Sequence, residues 1–182
     1  MVKNSKKKFG VEINENCRNY IKNIHKNIQV FRSIDEIETK VDVITLFHVL
    51  EHLPYQVDYL RKIKNKLRKK GKLIIEIPSA NDILLSLDWF LGFKKFTFWH
   101  EHLVLHTIKS LKKILYQVKF KNVKIIEYQR YNLNNHLGWF LKQRPRGHLF
   151  LKNLIETKSL KNYENYLIKN HKTDTLIAIA QN

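Results

Sequence analysis

The sequence predicts an α/β protein built around a largely parallel sheet. Short apolar segments bounded by turn residues alternate with longer stretches whose apolar residues recur every three or four positions. This alternation is typical of strand–helix–strand units, in which helices cover a parallel sheet. The chain has 182 residues and shows neither an internal repeat nor a low-complexity linker. We therefore interpret residues 1–182 as a single domain.

The first strand–helix–strand unit is expected near the start of the chain. Lys8–Glu12 has the pattern of a strand, and Asn14 is a suitable N-cap for a helix that follows it. Ile28–Phe31 is expected to form a second short strand. Asp35–Ile37 is then predicted to form a short helical turn before the next strand begins.

The next unit contains the strongest strand signal. Val41–Leu46 is rich in β-branched residues and apolar enough to be covered on both faces. A helical pattern follows from about Glu51, and Gly71 stands where a helix stop is expected after a basic last turn. Lys72–Ile77 then predicts another buried strand, which Pro78 ends.

The second half of the chain is less regular in pattern. A helix is expected to begin at Thr107, and Val123–Tyr128 is predicted to be a strand. Residues 131–170 are interpreted as a less regular segment that precedes a final strand at Thr175–Ala180.

Residues 81–106 interrupt the alternation with an unusual density of large rings. One interpretation is an inserted lid or sugar-stacking surface over an acceptor, and the other is a dimer interface or a local core. The six rings are Trp89, Phe90, Phe93, Phe96, Phe98 and Trp99.

The charge balance is strongly basic, with 34 Lys and Arg against 16 Asp and Glu and a formal net charge of +18. These residues are spread along the chain, and no helix-turn-helix, zinc or single-strand-binding signature accompanies them, so we expect no specific nucleic-acid partner. The single cysteine, Cys17, excludes an internal disulfide framework and suits a reducing compartment. Without a signal-peptide core or an apolar run of about 20 residues, a cytoplasmic protein with no membrane span is expected.

Candidate functional residues fall where predicted strands end. Ligands of open α/β sheets bind beyond the carboxyl ends of the strands, where an acidic residue such as Glu12 can accept hydrogen bonds from ribose hydroxyls. His48, Glu51 and His52 follow the strand Val41–Leu46. Because His48 and His52 are four residues apart, they would share one face of a helix, either as metal ligands or as capping residues.

Several of these segments, in their order and spacing, resemble class I S-adenosylmethionine-dependent methyltransferases. The resemblance is greatest to a branch common in polysaccharide and natural-product gene clusters, and it covers about Phe9 to Tyr128. The final strand resembles the antiparallel finish of that family's sheet. The matching segments are Gly10-Val11-Glu12, Val41–His52, Leu67–Gly71, Leu73–Pro78, Phe98–Leu103 and Thr107–Leu115.

The resemblance implies S-adenosylmethionine as cofactor and assigns residues to it. Glu12 would bind the ribose hydroxyls, while Ser33 and Ile34 would border the adenine. Phe47 and His48 would line the methionine end of the pocket. The enzyme implied is a methyltransferase acting on an unidentified small-molecule or saccharide acceptor.

The resemblance also suggests candidates for a general base, which assists methyl transfer when the acceptor is a hydroxyl. These are His52 and His102, with Glu51 and Glu101 as orienting partners; the alternative is that the histidines merely close the pocket mouth. Some related O-methyltransferases bind a divalent metal at this corner. His48 replaces a carboxylate of those relatives, which argues against a hard oxygen-ligand site, so we expect no resident metal; the alternative is a softer site of His48, Glu51 and His52, with or without His102.

Two further segments resemble the same branch and could approach an anionic acceptor. They are Asn134–Trp139 and Arg144–His148.

One family feature has no counterpart in this sequence. The glycine-rich loop that cradles the cofactor lies about 20 residues before the ribose carboxylate, and counting back from Glu12 passes Met1. We therefore expect an N-terminally truncated, incomplete methyltransferase domain whose Rossmann-like sheet lacks its first strand. The competing interpretation is a degenerate methyltransferase-like domain that acts as a binding partner without catalysis. Because loss of a central strand exposes two strand edges, an oligomer or a complementing chain is expected as partner.

Overall fold

A computed structural model describes residues 7–99, 101–144 and 156–182. Helices and strands alternate as the sequence predicts, with two short 3-10 turns at Ile34–Glu36 and Leu50–His52. No helix in these ranges is both long and apolar enough to span a membrane. The elements are β1 (Phe9–Val11), α1 (Glu15–Ile24), β2 (Gln29–Phe31), β3 (Val41–Phe47), α2 (Gln56–Lys66), β4 (Leu67–Pro78), α3 (Leu91–Thr97), α4 (Ile108–Gln117), β5 (Lys121–Tyr128), α5 (Leu133–Lys142), α6 (Thr157–Lys169) and β6 (Thr175–Gln181).

The strands form two separate sheets. β1 and β2 are parallel and make a two-stranded sheet, whereas the second sheet has the order β3-β4-β6-β5. Within it β3 and β4 are parallel, and β6 runs antiparallel to both of its neighbours, which confirms the expected antiparallel finish. Among the described strands, none pairs with the second edge of β1 or of β3. The break falls where the family resemblance expects the central strand.

Two helix starts follow directly from the sequence. Asn14 caps α1, its side-chain oxygen accepting a hydrogen bond from the Cys17 N–H at 3.1 Å. Thr107 and Ser110 form a reciprocal capping box at α4, in which each side chain accepts from the other's backbone N–H. Both predicted N-termini are confirmed.

The predicted helix stop at Gly71 is wrong. α2 ends at Lys66, and Leu67 begins β4, where it is fully buried and pairs with Val41. Gly71 lies inside the strand, and a Cβ there would stand 2.9 Å from the Arg68 carbonyl oxygen. Its small size therefore serves a close backbone approach rather than a helix terminus.

β3 is also more exposed than its composition predicts. We expected coverage on both faces, but Val43 is 46% exposed and Phe47 is 55% exposed, whereas Leu46 is buried. Composition determines how apolar a strand is, whereas exposure depends on which elements pack over its faces, and the main apolar core includes Leu46 but neither Val43 nor Phe47.

Residues 131–170, expected to be irregular, contain two helices, α5 and α6. Asn132 caps α5 by accepting a hydrogen bond from the Asn135 N–H at 3.2 Å. The polar and aromatic residues of α5 obscured its helical period because several of its polar side chains are buried. Of the segment Arg144–His148, only Arg144 belongs to the described residues.

Two apolar clusters stabilise the fold. The main core lies between the four-stranded sheet and helices α2 and α4, and includes Leu60, Ile75 and Leu111. The second cluster joins the aromatic segment 81–106 to α5 through Phe90 and Trp139, together with Leu84 and Phe93. The aromatic segment is therefore in part a local core, although Trp89 and Phe98 are exposed.

Candidate active site

A cavity of about 370 Å³ opens at one edge of the four-stranded sheet. Its floor is formed where strands end: His48 follows β3, Pro78 ends β4, and Thr175 begins the antiparallel β6. The carboxyl ends of β3 and β4 thus meet at this opening, which is where ligands of open α/β sheets bind.

Aromatic side chains of the two later segments cover the cavity. Phe93 and Phe96 of α3 contribute one side, and Trp139 of α5 contributes the other. The Phe93 ring meets Trp139 edge-on, with centroids 5.1 Å apart, an arrangement that suits the charge distribution of the rings. The cavity therefore combines a polar floor with an aromatic cover.

His48 occupies a strained position at the end of β3. Its φ of 51° lies in the left-handed region, which is uncommon for a residue with a side chain. The Arg130 guanidinium donates to His48 Nε2 at 2.6 Å and to Glu76 Oε1 at 3.2 Å. Since a guanidinium can only donate, His48 Nδ1 carries the ring proton, and it lies 3.3 Å from Glu51 Oε1.

Glu51 is fully buried beside two histidines. Neither of its carboxyl oxygens accepts a hydrogen bond from any described residue. His52 and His102 lie against it with their ring centroids 4.9 Å apart, and one ligand atom of each of the three residues falls within 4.8 Å of the others. The Glu51 carbonyl accepts from the Leu103 N–H at 2.9 Å, which holds the segment carrying His102 in place.

A second group of buried acids lines the cavity. Burial and the neighbouring Asp174 raise the pKa of Asp82 to about 7, although its side chain accepts a hydrogen bond from the Leu84 N–H. Burial also raises the pKa of Asp174, against the opposing effect of donors that include the backbone N–H groups of Arg130 and Tyr131. Asp174 thus anchors the turn after β5 to the start of β6.

His136 of α5 is a buried neutral histidine. Burial lowers its pKa to about 4, and burial raises the pKa of its partner Tyr163 to about 12. His136 Nδ1 lies 2.8 Å from the Tyr163 hydroxyl, which joins α5 to α6. Both His136 and the neighbouring Asn135 line the cavity.

The predicted cofactor residues lie at or just after the ends of β1, β2 and β3. Glu12 is half-buried, and its Oε1 accepts from the Asn14 N–H at 2.8 Å, whereas Phe47 is exposed at the end of β3. The Ser33 hydroxyl caps the first 3-10 turn, accepting from the Asp35 N–H. Ile34 is buried in the main core. Packing in the core is therefore enough to explain its apolar side chain, and contact with a ligand is not required.

The expectation that His48 and His52 share one helix face is wrong. His48 has left-handed backbone geometry before the 3-10 turn, and His52 ends that turn, so no helix connects them. Each instead contacts Glu51 from a different direction, at 3.3 Å for His48 and 4.0 Å for His52.

Comparison with known families identifies the family of the chain. A family model described as a methyltransferase domain matches residues 2–125. The chain belongs to this methyltransferase-domain family. The match ends before α5 and α6, so the family segment supplies the strand ends and the aromatic segment but not the α5 wall of the cavity.

Solved methyltransferase structures share the fold. An S-adenosylmethionine-dependent methyltransferase from Archaeoglobus fulgidus is 19% identical with a TM-score of 0.60, over 96% of this chain and 75% of that one. A methyltransferase in complex with the Haloferax volcanii activator Trm112 is 9% identical with a TM-score of 0.60, over 96% of this chain and 71% of that one. Phosphoethanolamine N-methyltransferase 2 of Haemonchus contortus, in complex with S-adenosylmethionine, is 14% identical with a TM-score of 0.57, over 95% of this chain and 42% of that one. No curated protein sequence matches.

The predictions missed part of the methyltransferase's cavity. Asp82, Arg130 and Asp174 line it, and none of them was singled out from the sequence. Each lies just before or after a strand, at the end of the sheet where ligands of such folds bind. That position along the sequence is the signal by which they could have been predicted. They were hidden because a lone charged residue after a strand is common in any α/β protein.

Proposed function

We propose that this methyltransferase transfers a methyl group from S-adenosylmethionine to a small-molecule acceptor that binds in the cavity over β3 and β4. The observation that carries the proposal is the position of the cavity, at the strand ends of a sheet shared with S-adenosylmethionine-dependent methyltransferases. Its volume of about 370 Å³ suits a small ligand rather than a polymer chain.

The chain's own residues fit one side of the cofactor. The half-buried carboxyl group of Glu12 can accept hydrogen bonds from two ribose hydroxyls, and Ser33 follows the neighbouring strand β2, where the adenine is expected. Phe47 offers an exposed apolar surface beside His48, whose ring reaches the cavity. S-adenosylmethionine would supply the electrophilic methyl group and the thioether leaving group.

The transfer itself is an in-line displacement that depends mainly on positioning. A lone pair of the acceptor attacks the methyl carbon as the carbon–sulfur bond breaks, and that bond's electron pair returns to sulfur. A hydroxyl acceptor must also lose its proton. Of the two predicted bases, His102 lines the cavity and His52 lies behind it against Glu51, so we assign the proton-accepting position to His102.

The cavity lining favours an acceptor with an apolar ring and polar substituents. Phe93, Phe96 and Trp139 offer ring faces and edges on which a flat aromatic or saccharide ring can stack. Arg130 and Asp82 offer hydrogen bonds at the floor. This use of residues 81–106 supports the lid interpretation of the aromatic segment.

Calorimetric titration with S-adenosylmethionine tests the proposal. We expect the chain to bind it, and Glu12→Ala to weaken that binding by roughly 10-fold or more, since loss of one hydrogen bond to a charged group costs about 1.5–3 kcal/mol. Glu15→Ala is the matched control, because Glu15 is an exposed carboxylate in the first turn of α1. Equal affinities for both variants would remove Glu12 from the cofactor site.

A specific observation also favours the second candidate, a methyltransferase-like binding partner without catalysis. In the described chain, β1 and β3 each present an unpaired edge, and such edges accept additional strands. The Haloferax volcanii methyltransferase of similar fold occurs in complex with an activator protein. Sedimentation measurements together with the titration separate the candidates: a monomer that binds the cofactor supports the enzyme, and an oligomer that does not bind it supports the partner.

A further inference from the structure

Glu51, His52 and His102, which we call the Glu51 cluster, bring three potential metal-ligating atoms together. One ligand atom from each residue lies within 4.8 Å of the others. Ligands of a tetrahedral zinc ion with bonds of about 2.1 Å stand about 3.4 Å apart. Small rotations of the three side chains therefore bring their ligating atoms to coordination distance.

Both histidines are oriented as metal ligands usually are. His52 Nδ1 lies 2.7 Å from the Glu101 carbonyl oxygen, and His102 Nδ1 lies 2.7 Å from the Thr97 carbonyl oxygen. A carbonyl oxygen only accepts, so Nδ1 carries the proton in each ring and Nε2 keeps its lone pair. Donation from the second ring nitrogen to a backbone carbonyl is the common support of a metal-bound imidazole.

Glu51 itself requires a positively charged neighbour. Its side chain has 0% exposure, and both carboxyl oxygens lack a hydrogen-bond donor among the described residues. An unsatisfied buried carboxylate is costly and rare in native proteins. His48 Nδ1 lies 3.3 Å from Glu51 Oε1 but does not satisfy it, and His48 Nε2 already accepts from Arg130. A cation between Glu51 and the two Nε2 atoms would remove this deficit.

We infer that the Glu51 cluster binds one divalent transition-metal ion, of the zinc class. Two imidazoles and one carboxylate favour zinc or a similar ion, whereas magnesium and calcium prefer a shell of oxygen atoms. This inference reverses the sequence-based expectation of no resident metal. That expectation rested on His48, and the structure gives His48 a different position, beside Glu51 and outside the ligand set.

The ion would stand at the wall of the acceptor cavity. Three protein ligands leave a fourth coordination position open, as in catalytic zinc sites, and His102 lines the cavity. Resting on the proposed function, this position would receive the acceptor's hydroxyl and lower its pKa. With the ion bound, His102 would be a ligand rather than the base, and the proton of the hydroxyl would pass to solvent water.

Metal titrations of chelator-treated protein test the inference without cofactor or acceptor. We expect one Zn²⁺ per chain by calorimetry, and Co²⁺ in its place to give the visible absorption of a tetrahedral site. Glu51→Gln and His102→Gln should each weaken Zn²⁺ binding by roughly 100-fold or more, since even outer partners of a metal site are worth roughly 10- to 100-fold. His25→Gln, at the exposed end of α1, should leave it unchanged.

Thermal unfolding supplies a second measurement that is independent of activity. Zn²⁺ should raise the Tm of the wild-type protein and leave that of Glu51→Gln unchanged, whereas the metal-free Glu51→Gln protein should be at least as stable as the wild type. Zn²⁺ binding that survives both ligand substitutions, or no binding at millimolar Zn²⁺, would overturn the site. Binding of S-adenosylmethionine is measured on separate samples. The metal titration can therefore still be interpreted if the methyltransferase proposal fails.

Discussion

The replacement Asp82→Asn gives the sharpest test of the buried polar side of the cavity. Asp82 is buried, and its pKa is raised from an ordinary 3.8 to about 7, first by burial and then by the charge of Asp174. Asparagine keeps the size of the side chain and the oxygen that accepts from the Leu84 N–H at 2.8 Å. The substitution removes the ionisation and replaces one carboxyl oxygen with an amide nitrogen, and only the first of these changes depends on pH.

The sign of the pH effect follows from linkage. Below pH 3.8 the Asp82 carboxyl is protonated in both the folded and the unfolded states, and its ionisation costs nothing. As the pH rises from 3.8 to about 7, the unfolded state ionises first, and the free energy of unfolding of the wild type falls. At 1.36 kcal/mol for each pKa unit, the gap between 3.8 and about 7 corresponds to about 4 kcal/mol.

Urea unfolding followed by tryptophan fluorescence at pH 4, 5.5 and 8 measures the difference. We expect the stability of Asp82→Asn relative to the wild type to rise by about 4 kcal/mol between pH 4 and pH 8, an effect that includes loss of the repulsion between Asp82 and Asp174. The lowered pKa of His136, about 4, makes the free energy of unfolding rise as the pH rises to 6.5. This contribution is the same in both proteins, so it cancels in the difference between them.

Asp88→Asn is the matched control for this experiment. Asp88 lies in the same segment but is fully exposed, and it pairs with Lys94 at 3.1 Å. Exposed pairs contribute at most about 1 kcal/mol, so its stability difference should stay small at every pH. A pH-independent difference for Asp82→Asn would refute the assignment of a raised pKa to Asp82.

Three further substitutions test the packing and the helix start, each by urea unfolding. Gly71→Ala should lower the free energy of unfolding by roughly 1–3 kcal/mol, because the new Cβ would stand 2.9 Å from the Arg68 carbonyl oxygen. Lys72→Ala, at the exposed neighbouring position, is the control and should leave it nearly unchanged. Phe90→Ala should cost about 3–5 kcal/mol through the second apolar cluster, with exposed Leu91→Ala as its control. Thr107→Val should cost about 1 kcal/mol by removing the acceptor for the first turn of α4; no loss would contradict the cap.

The sequence was most informative where a local pattern was sufficient. The caps Asn14 and Thr107 fixed two helix starts, because a side-chain oxygen next to a free N–H acts within one turn of the chain. The antiparallel direction of the final strand followed from the family resemblance. The position of Gly71 was misinterpreted, since a glycine after a basic turn is as suitable for a close strand contact as for a helix stop.

The amino-acid sequence by itself determined the α/β alternation, the family and the candidates that follow β1 and β3, since periodicity and spacing are properties of neighbours along the chain. Only the tertiary structure decided which side chains meet. His102 reaches Glu51 and His52 from about fifty positions away, and Asp174 reaches Asp82 from further still. Such contacts depend on how the later segments fold back over the sheet edge. No local pattern encodes the burial that leaves Glu51 without a hydrogen-bond donor in the described chain and raises the pKa of Asp82.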